Sequence, residues 1–281
     1  MVILVLVLAS AAVGVSAAFA VRHWPEADPA AEISESVSRN VGEDRRLRFI
    51  RARLDPGTAT GLGLTVASIC VVVGGVVAGV LFFLIRSRTE VLDVDTAIAG
   101  WAATHATDLS TSLLRALTVL GTTAVVVAAS LAVGLVEFHR IRSRSLWVFL
   151  VLVVGGELLI VNLIKLGVSR ARPAVDQLTS FAGSSFPSGH TASAAACYAA
   201  LALLMSRGRT PRTRAWLAGG AASLAVAVGM SRMLLGVHWF TDVVAGLAVG
   251  WAWFALCAIA TGGRLLRFGM AAETPRHAVR P

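Results

Sequence analysis

Read only for its apolar and polar positions, the chain alternates long hydrophobic runs with short polar stretches. Apolar runs cover 2–21, 61–85, about 119–138, 145–164, 190–206, 215–235 and 240–263. An α-helix needs about 20 predominantly apolar residues to cross the hydrocarbon core of a bilayer. The pattern therefore predicts an all-α integral membrane protein: a six-helix bundle from residue 61 onward, preceded by one extra N-terminal apolar helix. Between the second and third runs lies a mixed segment, 86–118, carrying Asp93, Asp95, Trp101, His105 and Asp108. Its apolar positions Val94, Ile98, Trp101 and Ala102 suit an amphipathic helix lying on the membrane surface. The one long polar loop of the second half is 166–189.

Three parts follow: residues 1–60, an apolar helix and a basic linker; 61–263, the six-helix domain; and 264–281, a basic C-terminal tail. The sequence Ala18-Phe19-Ala20 resembles a signal-peptide cleavage site. No basic residue precedes that first run, however, and cleavage would leave the basic stretch 45–53 on the wrong side. The expectation is an uncleaved helix with its N-terminus outside.

Composition agrees with the pattern. Hydrophobic residues make up 56% of the 281 residues and charged residues 15%, against about 25% charged in soluble domains. The net charge of +9 is not a nucleic-acid footprint, because no basic stripe with interleaved aromatics is present. The basic residues instead cluster between apolar runs. The stretches 22–60, 139–144, 207–214 and 264–281 hold 18 of the 25 basic residues. The positive-inside rule places that face in the cytoplasm, so the opposite face is extracytoplasmic. Cys70, Cys197 and Cys257 lie in apolar segments and show neither disulfide nor zinc spacing. Of the 25 basic side chains only Lys165 is lysine, the arginine-rich usage of a GC-rich genome.

That lysine heads the first of three clusters on the outer face. Lys165 is followed by Arg170, Arg172 and Pro173; the second cluster is Pro187-Ser188-Gly189-His190; the third is Ser231-Arg232, then His238, then Asp242. Lys165, Arg172 and Arg232 supply three cations for a doubly charged phosphate, whose transition state spreads charge over its equatorial oxygens. Arg170 reads as an interfacial cation with its charge in the headgroup layer. Ser188 and Gly189 open a helix, where unpaired amides and the dipole suit an anion. His238 and Asp242 stand four apart, so the carboxylate can accept the Nδ1 proton and leave Nε2 to attack phosphorus. His190 has no carboxylate at that spacing and suits the general acid. Glu157 reads as a hydrogen-bonded group inside the bundle, and His105 as a surface residue.

The clusters resemble the signature of the type 2 phosphatidic acid phosphatase superfamily: K-x6-R-P, P-S-G-H and S-R-x5-H-x3-D. All eleven defined positions are present, in order and at the family spacing. The resemblance covers about 61–263. It implies a membrane phosphatase that needs no metal or other cofactor, with His238 as nucleophile, Asp242 as its partner and His190 as acid. It further implies that Lys165, Arg172, Ser188, Gly189 and Arg232 hold the phosphate. The expected reaction is hydrolysis of a lipid phosphate or diphosphate through a phosphohistidine, on the outer face of a bacterial plasma membrane. Polyprenyl diphosphate ranks first, because an outward-facing embedded site suits recycling of a polyprenyl carrier. Phosphatidylglycerophosphate and phosphatidate are alternatives, as is transfer of the phosphoryl group to a lipid or sugar acceptor. The expected partners are the lipid substrate and the bilayer, not nucleic acid. The sequence carries no signal for oligomeric state.

Overall fold

The computed structural model of the chain describes residues 1–23, 61–87, 91–181, 183–207 and 209–265. The expected basic linker, 24–60, and residues 266–281 of the tail lie outside the described residues. Among the described residues are nine α-helices and no strand. They are α1 (Val2–His23), α2 (Gly61–Ser87), α3 (Val91–Thr104), α4 (Asp108–Thr118), α5 (Thr123–Ile141), α6 (Ser145–Val168), α7 (Gly189–Met205), α8 (Pro211–Leu234) and α9 (Phe240–Leu265). A single 3₁₀ turn, Val119–Gly121, joins α4 to α5.

Local chemistry sets several of these boundaries. Thr122 caps α5 by accepting the Val125 amide, and Thr210 caps α8 ahead of Pro211 at its first position. At their C-terminal ends α5 and α6 stop at left-handed residues, Arg142 (φ 52°) and Ser169 (φ 48°). Helices α1, α6, α8, most of α5 and most of α9 are long and apolar enough to cross a membrane. The apolar helix α7 and the stretch Val71–Ser87 of α2 are shorter. Leu159 and Leu163 on α6, with Val72 and Phe83 on α2, point outward, as lipid-facing positions do. The protein is thus an integral membrane helical bundle, six helices plus the extra N-terminal one.

Helix α7 is the hub, in contact with α5, α6, α8 and α9. Its side chains are small, with Ala192, Ala194, Ala195, Ala196 and Ala200 all buried. In lipid, where apolar tails compete equally for apolar faces, close backbone approach drives helix association. A Cβ on Gly246 of α9 would lie 2.7 Å from the Ser188 carbonyl oxygen. Only glycine permits that approach, which holds the head of α7 against α9. A larger-residue core lies deeper, built from Val126, Leu146, Phe149, Leu150, Val153, Leu201 and Leu204. Outside the six, α1 runs antiparallel to α8: Val2 and Leu6 pack with Met233 and Leu234, while Gly14 meets Gly219.

The mixed segment 86–118 differs from expectation. It forms two helices, α3 and α4, broken after Thr104 and restarted by a capping box between Thr107 and Ser110. The buried face of α3 keeps Ile98, Trp101 and Ala102 but takes Asp95 in place of Val94. Val94 is exposed, whereas Asp95, Ala99 and Ala102 are buried. Hydrophobicity alone assigned Val94 to the inner face; a carboxylate with partners inside takes the place next to it.

Candidate active site

Three stretches converge at one end of the bundle: the end of α6, the loop 169–188 leading into α7, and the link 235–239 between α8 and α9. The loop is pinned on several sides. The Ser185 amide and hydroxyl reach the Arg170 and Ala171 carbonyls, the Leu178 amide reaches the Leu235 carbonyl, and the Trp239 indole N–H reaches the Ala171 carbonyl. These bonds set the loop's cations against the link that carries His238.

Arg172 donates from Nη1 to the Val237 carbonyl at 2.5 Å and to His238 Nε2 at 3.3 Å. Its guanidinium lies 4.7 Å from the centre of the Phe181 ring. A guanidinium can only donate, so His238 Nε2 accepts and the ring proton sits on Nδ1. Nδ1 faces Asp242 Oδ2 at 3.4 Å, a long contact that still fixes the direction of the ring. Arg232 is buried; its Nη1 donates to Thr118 Oγ1 at 3.3 Å and its Nη2 to the Ser180 carbonyl at 3.5 Å. Its Nε is buried with no hydrogen-bond partner. Lys165 Nζ lies 3.7 Å from the position a Cβ on Gly189 would take. His190 lies within electrostatic range of Arg232, His238, Lys165 and Arg172. The fold therefore brings together all eight residues singled out from sequence.

Asp242 does two jobs with one carboxylate. Its Oδ2 accepts the Trp239 amide at 3.0 Å, reaching back across the first turn of α9 as in a capping box. The same oxygen faces His238. Ser188, by contrast, precedes α7 without capping it. Its Oγ instead accepts from Thr191 Oγ1 at 2.8 Å, and its amide donates to the Asp242 carbonyl oxygen. The first-turn amides of α7 thus carry no side-chain cap from Ser188. Ser231 is a packing residue, its hydroxyl bonded to the Val228 carbonyl.

The sequence reading of Arg170 is corrected here. Arg170 is not a headgroup-layer cation: its side chain is 7% exposed and bridges two carboxylates, Asp242 Oδ1 at 2.6 Å and Asp95 Oδ2 at 2.7 Å. It also donates to Thr241 Oγ1 at 2.8 Å. Asp95 in turn accepts the Thr241 amide and hydroxyl at 3.0 and 2.6 Å. The available signal was Asp95 itself, an acid on the same helical stripe as Ala99 and Ala102.

Burial pushes the His238 imidazole down to about 4; Asp242 pulls upward against it, and Arg172 and Arg232 add to the downward push. His238 is therefore neutral near pH 7, as a nitrogen nucleophile must be. Glu157 is held inside the bundle by a 2.8 Å bond from Ser193, as read from sequence. His105 is exposed and stacks on Trp101. Cys197 and Cys257 are buried.

Comparison with known proteins bears on this arrangement. Residues 145–265 match the PAP2 superfamily. Lipid A 1-phosphatase of Rhizobium etli is 36% identical over 139 residues, 43% of this chain and 55% of that protein. The chain thus spans about half the length of that relative. Phosphatidylglycerophosphatase B of Bacillus subtilis is 29% identical over 187 residues, 63% of this chain and 89% of that protein. The crystal structure of a transmembrane PAP2-type phosphatidylglycerolphosphate phosphatase from Bacillus subtilis superposes with a TM-score of 0.58 at 26% identity, covering 65% of this chain and 92% of that one. All three site clusters, from Lys165 to Asp242, fall inside residues 145–265, the part of this integral membrane chain that matches the PAP2 superfamily.

Proposed function

We propose that this protein is a membrane phosphatase that cleaves the terminal phosphate from a lipid phosphate or diphosphate through a phosphohistidine. The observation that carries the reading is the pocket itself. Two imidazoles and three cations from separated stretches face one another at one end of a membrane bundle, and one of those cations keeps a buried, unpartnered N–H. Such a donor set suits a phosphoryl group passing through a charge-spread transition state.

In the proposed first step, His238 Nε2 attacks phosphorus and the bond to the lipid oxygen breaks. His190 delivers a proton to that oxygen as it leaves. Asp242 holds the Nδ1 proton and stabilises the charge the ring acquires. In the second step His190 takes a proton from water, the water oxygen attacks phosphorus, and the phosphorus–nitrogen bond breaks to return neutral His238 and inorganic phosphate. Lys165, Arg172, Arg232, the Ser188 hydroxyl and the Gly189 amide hold the non-bridging oxygens.

The charge pattern supports an extracytoplasmic site in a bacterial plasma membrane. The placement of the site supports a lipid substrate: Leu166, next to Lys165, is 78% exposed, and Phe181 and Phe240 are exposed nearby. Such a rim admits an acyl or prenyl tail from the bilayer. An outward-facing site favours polyprenyl diphosphate. The names of the relatives favour phosphatidylglycerophosphate and the 1-phosphate of lipid A.

The test is phosphate release by purified protein with each of these lipids and phosphatidate, in mixed micelles. The reading expects release from at least one, without any added acceptor. Release from none of them, or release only when a lipid or sugar acceptor is supplied, would overturn hydrolysis.

A further inference from the structure

One buried group of charges lies behind the pocket rather than in it. Arg170 sits between Asp95 of α3 and Asp242 of α9, with both contacts under 3 Å and all three side chains nearly shielded from water. A buried ion pair is weak evidence for stability, because desolvation offsets most of the attraction. Its geometry is more informative. Asp242 offers one oxygen to Arg170 and the other to Trp239 and His238. Rotating that carboxylate toward or away from His238 requires breaking the Arg170 bond. Arg170 in turn is held by Asp95, which Thr241 anchors through two hydrogen bonds.

We propose that Asp95 and Arg170 are positioning residues: the chain Asp95–Arg170–Asp242 fixes the rotation of the Asp242 carboxylate and sets how strongly it pulls on the Nδ1 proton of His238. Through this chain α3, which lies outside the three signature clusters, becomes part of the catalytic apparatus. The proposal rests on the phosphohistidine reading above.

The signs can be worked out. His238 is faced by Asp242 from α9, Arg172 from the loop, Arg232 from α8 and His190 from α7. Arg170 neutralises much of the Asp242 charge. Removing it leaves a less compensated carboxylate beside the ring, which favours the imidazolium. Removing the Asp95 charge leaves Arg170 to neutralise Asp242 alone, which disfavours the imidazolium. The two changes therefore move the titration of His238 in opposite directions. A role in holding the fold together gives no such opposition.

The experiment compares Arg170→Gln, Arg170→Lys, Asp95→Asn and the control Asp93→Asn, an exposed neighbour on α3. Each purified protein is assayed for kcat, KM and the pH profile of kcat/KM. Rapid-quench trapping of labelled phosphate on His238 and a thermal midpoint accompany the kinetics. Arg170→Gln is expected to lower kcat about a hundredfold with little change in KM, the size of effect that small misplacement produces. Its acid limb moves up by about one pH unit, and that of Asp95→Asn moves down. Arg170→Lys, which keeps the charge, recovers part of kcat, and Asp93→Asn matches wild type. If Arg170→Gln does not fold, the limb of Asp95→Asn decides. Unmoved acid limbs overturn the proposal, whether activity is retained or is lost together with thermal stability. Wild-type protein that traps no phosphate on His238 overturns the phosphohistidine reading itself, and this inference with it.

Discussion

His238 is subject to opposed influences, with burial and two arginines favouring the neutral ring and Asp242 favouring the charged one. Burial wins, and two expectations follow. The acid limb of kcat/KM lies near pH 4, well below the ordinary histidine value of 6.5. The same shift links to stability. A histidine whose folded pKa is depressed stabilises the fold fully above 6.5 and loses that contribution as pH falls toward 4. Thermal midpoints measured across that interval should fall more steeply for wild type than for His238→Asn. At the same scale, His238→Ala abolishes turnover and His190→Ala nearly does, with labelled phosphate found on His238. Label on His190 would reverse their roles. How far the sequence reaches is also clear here. The eight pocket residues were readable because chemistry and short spacing marked them. Arg170 was not, since nothing local separates a bridging arginine from an interfacial one. Its partners lie 72 and 75 residues away, and only the folded chain brings them together.

At the scale of elements, the long apolar runs announced their helices because membrane length is a hard constraint. The short helices of 86–118 were less legible, since the polar residue that matters, Asp95, breaks the hydrophobic pattern used to orient α3. The grip of α9 on α7 is a matter of a missing side chain. Gly246→Ala places a methyl 2.7 Å from the Ser188 carbonyl and 2.9 Å from Thr191 Cβ. Overpacking of this kind costs about 1–3 kcal/mol. The expected result is a lower thermal midpoint and slower turnover, because the displaced backbone carries Ser188, Gly189 and His190. Gly75→Ala on α2, where a Cβ meets nothing within 4 Å, should leave both unchanged.

For the whole molecule, the proposed extracytoplasmic site requires the pocket and the arginine-rich turn after α5 to lie at opposite ends of the bundle. The ends of α6 and α8, the starts of α7 and α9, and helix α3 all meet on the pocket face, while Arg142 lies at the other end of α5. A single cysteine at Asp176, exposed in the pocket-side loop, should react in intact cells with a membrane-impermeant maleimide when the native cysteines are removed. One at Arg142, also exposed, should react only after permeabilisation. The opposite result would invert the topology.

The seam between α1 and α8 has a further consequence. It rests on Gly14 and Gly219 touching backbone to backbone, with Ser223 alongside, and on Val2 and Leu6 packed against Met233 and Leu234; Ser10 bonds only within its own helix. Among the described residues no side-chain hydrogen bond crosses it. Contact of that kind is held by dispersion and by the reluctance of lipid to part neighbouring helices. A small, aggressive detergent removes the second of these. On solubilisation α1 should then be the first helix to peel away, baring the small-residue stripe of α8 to self-association while the pocket stays assembled. The choice of surfactant will therefore decide whether a purified sample keeps α1 or reports only the six-helix bundle with its short helices α3 and α4.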